Sequence, residues 1–133
     1  MTLVIEPRAA DRPCLLLAHQ DPAYRSVSSR FFRRCGWDVY LARTGPEIRR
    51  LALQLDPTVI VLDTGLLDES GWLTCEKLQW SQPNLKVVLV ESDPRPADHR
   101  FANFVGAADL IDRHDGVVRL VDAVCNAAQR AVC

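Results

Sequence analysis

"VIVLDTGLLDESGW", Val59 to Trp72, is the stretch on which the reading of this chain turns. Four apolar residues in succession stop at Asp63, and Gly71 follows eight positions later. An unbroken run of Val, Ile and Leu suits a strand covered on both faces, since alternation is required only where one face meets water. A carboxylate at the end of such a strand stands at the rim of a sheet, where a site can form.

The same grammar repeats on either side of this stretch. "CLLLA" (14–18), "WDVYLA" (37–42), "LKVVLV" (85–90) and "ADLID" (108–112) read as strands, with "TVIVLD" (58–63) as the most apolar and central one. Between them lie amphipathic segments. Asp21-Pro22 is a helix cap followed by proline at the first helical position, and Tyr24, Val27, Phe31 and Cys35 recur at helical spacing up to Gly36. "TGPEIRRLALQLD", "ESGWLTCEKLQWSQ" and "PADHRFANFVG" predict the next three helices, and "DGVVRLVDAVCNAAQRAVC" the last. Trp37, Trp72 and Trp80 are read as packing residues.

Five strands alternating with five helices through short connections predict an α/β fold, a doubly wound parallel sheet between two helical layers. The 133 residues suit a single domain, with 1–13 as a leader and 14–131 as the folded unit. A net charge of −1 gives no electrostatic argument for nucleic acid or an anionic membrane. No apolar run is long enough to span a bilayer, and the start does not read as a signal peptide. Five scattered cysteines without a C-x-x-C pair are read as reduced thiols, which places the protein in the cytoplasm.

In an open parallel sheet, ligands bind beyond the carboxyl ends of the strands. The residues there are His19 and Gln20, Asp63, Glu91 and Arg113. Their order and separation resemble the receiver domain of bacterial response regulators across nearly the whole chain. "AHQDP" (18–22) lies on the family's VDDDP, Asp63 on its phosphoacceptor aspartate, Gly71 on its glycine eight residues on, and "GAADLIDRH" (106–114) on its GADDYLxKP. The resemblance implies a flavodoxin-like five-stranded sheet of order 2-1-3-4-5, a role in two-component phosphorelay signal transduction, and a histidine kinase or output protein as partner. It also implies a homodimer through helix 4, strand 5 and helix 5.

The departures from that pattern are chemical. The family's magnesium-binding acidic pair is His19 and Gln20 here, and magnesium prefers hard oxygen ligands in octahedral array. Glu91 replaces the threonine or serine of the fourth strand, which places a carboxylate where a phosphoryl group would need a donor. Arg113 replaces lysine, His114 replaces proline, and Leu110 stands at the aromatic switch position. The expectation is a degenerate receiver, or pseudo-receiver: a protein-interaction module and not an enzyme, with no catalytic or metal residues, no cofactor, and weak or absent magnesium binding. One guanidinium, Arg113, is expected to pair with both Asp63 and Glu91, and His19 to hydrogen-bond beside Asp63. Two other readings are a working phosphoacceptor receiver using Asp63, and a small metal-binding protein using His19, Asp63 and Glu91.

Overall fold

The computed structural model describes residues 12–132; most of the expected leader, and Cys133, lie outside the described residues. Strands β1 (Cys14–Ala18), β2 (Asp38–Leu41), β3 (Val59–Asp63), β4 (Val87–Glu91) and β5 (Asp109–Asp112) alternate with helices α1 (Pro22–Arg34), α2 (Gly45–Leu55), α3 (Gly71–Ser81), α4 (Pro96–Phe104) and α5 (Gly116–Ala128). The strands form one parallel sheet in the order β2-β1-β3-β4-β5, as expected. β3 pairs with β1 through Leu16↔Ile60 and with β4 through Val61↔Val88, so the most apolar strand is central. Its first four residues are fully buried, and Asp63 is the first to reach the rim.

Alternate side chains of the strands feed two cores. Leu16, Ile60, Leu62 and Leu89 meet Ile48 and Leu51 of α2, Cys75 and Leu78 of α3, and Ala102 of α4. On the opposite face Leu15, Leu17, Val61 and Val88 meet Phe32 of α1 and Leu120 and Val124 of α5. Helix entry is set by side-chain caps. Asp21 accepts from the Ala23 N–H, Thr44 from Glu47 and Ser70 from Leu73, each satisfying a donor that the first turn leaves open.

Several expectations are corrected. α1 buries Tyr24, Ser28, Ser29 and Phe32, while Val27 and Phe31 face outward, because two small serines allow the helix close to the sheet. Trp37 is core, but Trp80 is 83% exposed at the end of α3. α5 stops at Ala128, where Gln129 turns left-handed with φ 54°. Cys14, Cys75 and Cys125 are free thiols, whereas Cys35 is disulfide-bonded, against the expectation of reduced cysteines throughout. Among the described residues, no helix is long and apolar enough to cross a membrane.

Candidate functional site

Asp63 is held at the sheet rim from both sides of its carboxylate. Oδ2 accepts from the Gln20 backbone N–H at 3.1 Å, and Oδ1 accepts from the Gly65 N–H at 2.9 Å. Gly71 explains why the following helix can start so near. A Cβ there would lie 2.3 Å from the Asp63 carbonyl oxygen and 2.9 Å from Thr64 Cα, so any side chain would displace the rim itself.

His19 is buried, 3% exposed, and stacks on Tyr24 with ring centroids 4.4 Å apart. Its Nδ1 accepts the Asp21 N–H at 3.0 Å, which makes Nδ1 the lone-pair nitrogen of a neutral ring. That nitrogen lies 3.6 Å from Asp63 Oδ2, and since two acceptors cannot share a hydrogen bond, the ring is hydrogen-bonded beside Asp63, as expected, through Asp21 and not through the carboxylate itself. Burial lowers the His19 pKa below 6.5; the Asp63 charge opposes this and Arg113 adds to it. Burial likewise raises the Tyr24 phenol to about 12.

Gln20 is exposed and directs its amide Nε2 to the Gly65 carbonyl. Glu91 accepts from the Thr64 hydroxyl at 2.7 Å through Oε2 and from the Ser92 N–H at 3.1 Å through Oε1. Arg113 does not fork between Asp63 and Glu91. Its Nη2 pairs with Asp21 Oδ2, and no ion pair joins Arg113 to the other two carboxylates among the described residues. The reason is local: Asp21, fixed as the α1 cap, presents its second oxygen to the guanidinium. The hydrogen bond from the Ala23 N–H, more than the Arg113 charge, lowers the Asp21 pKa. Leu110, at the switch position, is 3% exposed and lies in the core beneath α4.

This donor set does not fit magnesium. His19 has spent its Nδ1 lone pair, Gln20 presents a donor to a carbonyl, and Asp21 is engaged by Arg113, which leaves Asp63 without a second free carboxylate beside it. Nor do His19, Asp63 and Glu91 converge as a metal-ligating trio. Among the described residues the group whose ligand atoms come within 4.8 Å of one another is Asp93 in the loop after β4, Asp112 at the end of β5 and His114 in the turn after it.

The strand order and the helical layers of this chain recur in known proteins. The fold aligns with the CheY-like response regulator receiver domain protein of Methanospirillum hungatei JF-1, with TM-score 0.82 and 18% identity over 90% of this chain and 95% of that one. The chemotaxis protein CheY4 of Vibrio cholerae gives TM-score 0.81 and 15% identity, over 87% of this chain and 98% of that one. The chain has the receiver-domain fold. In sequence the chain is 28% identical over 115 residues to the probable transcriptional regulatory protein TcrX of Mycobacterium tuberculosis, covering 86% of this chain and 49% of that protein. It is 34% identical over 86 residues to the response regulator GacA of Pseudomonas aeruginosa, covering 62% of this chain and 39% of that protein. It thus spans half or less of the length of these curated relatives. No protein-family model matches the chain.

All five rim residues named from the sequence lie at the carboxyl ends of β1, β3, β4 and β5. Sequence reasoning missed two participants. Asp21 was legible only as a cap, although its second oxygen binds Arg113. Thr64, next to Asp63, carried no signal, because the side chain that engages it is 27 residues away.

Proposed function

We propose that this chain is a degenerate receiver: a signal-transduction and protein-interaction module that works without efficient magnesium-dependent phosphorylation. The observation that carries the reading is the chemistry of the rim. The acidic-pair positions beside Asp63 hold a neutral imidazole and an amide in place of carboxylates, so Asp63, whose oxygens each accept one backbone N–H, has no second carboxylate there with which to hold a cation. Phosphoryl transfer depends on positioning and on neutralising phosphate oxygens, so losing the cation removes most of the catalytic contribution. Glu91 adds a negative charge beside Thr64, which works against an incoming anion.

Under this reading the receiver is cytoplasmic, where the Cys35 disulfide would be held reduced, and is not an enzyme, and its partners are a histidine kinase or an output protein. The face of α4, β5 and α5 is its contact and homodimer surface, and the exposed Phe101 and Phe104 on α4 favour that. The net charge of −1 supports a protein partner over nucleic acid. Titrating magnesium while following the amide resonances of Gln20, Asp63 and Gly65 tests the proposal. No saturation is expected through the low millimolar range. Saturating shifts confined to these three amides at or below that range would contradict it.

A further inference from the structure

A second surface lies away from the Asp63 rim, between α2 and α3. Pro46, Arg49, Arg50 and Leu53 of α2 and Lys77 and Trp80 of α3 line an open groove of about 480 Å³. Trp80 is 83% exposed and Leu53 72%, a large apolar area to leave in water on neighbouring helices. Beneath them Glu69 takes hydrogen bonds from Arg49, Thr74 and Lys77, so this carboxylate is buried and engaged. Arg50 has no ion-pair partner among the described residues, and because Arg49 and Lys77 share the single charge of Glu69, the cations lining the groove outnumber the carboxylate that they bind.

We infer that this groove binds an acidic amphipathic segment of a protein partner, whose apolar anchor packs on Trp80 and Leu53 while its carboxylates meet Arg50 and Lys77. Charge selects the occupant. A second copy seated symmetrically would set Arg49, Arg50 and Lys77 against the same cations, because a two-fold interface opposes a patch to itself. Shape selects a helix, since two helices side by side make an elongated trough of the kind that receives an amphipathic helix. The inference rests on the reading of the chain as an interaction module and adds the chemistry of one partner.

Selection of displayed random peptides against the whole chain tests it, followed by anisotropy measurements with the enriched peptides on wild type, Trp80→Ser and Arg50→Glu. Both side chains are exposed, and circular dichroism confirms that each variant is folded. Expected are acidic sequences with apolar anchors at helical spacing, salt-sensitive binding, and a loss of about tenfold or more in each variant. The inference is overturned by a failure to enrich any peptide, by basic peptides, or by affinities indifferent to both substitutions. Self-association abolished by Trp80→Ser, or binding of a thymidine oligonucleotide in place of peptides, would overturn it as well. Failure here leaves the magnesium titration at Asp63 unchanged, and magnesium binding there would leave peptide affinity unchanged, so the two readings fail separately.

Discussion

His19 at the carboxyl end of β1 is a buried ring whose Nδ1 accepts a backbone N–H, and protonation would turn that acceptor into a donor facing a donor. Burial already holds its pKa below 6.5. An unfolded chain takes up the proton first as pH falls through 6.5, so the stability this residue contributes is full above 6.5 and declines below it, toward the lower folded-state value. Histidine resonances followed by NMR should give a His19 midpoint below 6.5, and urea midpoints should show a decline that His19→Gln removes. A midpoint above 6.5 would mean that the ring is held as a cation by Asp63. At the same scale Arg113 belongs to Asp21. Thermal unfolding of Arg113→Ala and Asp21→Ala, singly and together, should show non-additive losses, while the cycles of Arg113 with Asp63 and with Glu91 should be additive. Coupling of Arg113 to Asp63 would restore the fork that the sequence suggested.

The connection between α2 and α3 depends on one buried carboxylate. Burial works to raise the Glu69 pKa, but hydrogen bonds from Lys77, Thr74 and Arg49 outweigh it and bring it to about 2. Gly45 makes room for this arrangement, since a Cβ there would lie 2.1 Å from Thr74 Oγ1 and 2.6 Å from Glu69 Oε2. Glu69→Gln should cost roughly 2 kcal/mol in urea unfolding, modest for a broken buried ion pair because Arg49 and Lys77 reach solvent. The same carboxylate gives stability that is present above 4.5 and lost as pH falls from there to about 2, a window below that of His19. An unchanged unfolding midpoint for Glu69→Gln would mean that the two cations are solvated independently. Elements of this kind show what was legible. The strands were, because "VIVL" and "CLLLA" have no polar residue to offer water, and burial on both faces is their only use. Helix faces were less so. Ser28 and Ser29 look like surface residues, yet they let α1 approach the sheet, and Phe31 beside Phe32 leaves the inward choice to packing. Glu69 read as part of a helix start, and nothing local ties it to Arg49, 20 residues away.

At the scale of the whole molecule, the parallel sheet places four chain segments at one rim, and that much followed from the alternation of strands and helices, whereas the strand order followed from the family resemblance. Which side chains pair there did not follow, because several charges within reach of one another allow more than one set of partners. Asp63 is delivered to the rim by the fold, whereas the groups around it offer an imidazole and an amide where a cation would need carboxylates. The most direct test is mass spectrometry of the intact chain and of the peptide containing Asp63, after incubation with acetyl phosphate and magnesium. His19→Asp, Gln20→Asp and Glu91→Thr combined in one variant should recover labelling, because together they return the carboxylates and remove the opposing charge. Glu91→Thr alone should not, since the cation would still lack its ligands. The wild-type chain should gain no phosphoryl mass at Asp63; stoichiometric labelling of wild-type Asp63 would contradict the degenerate-receiver account.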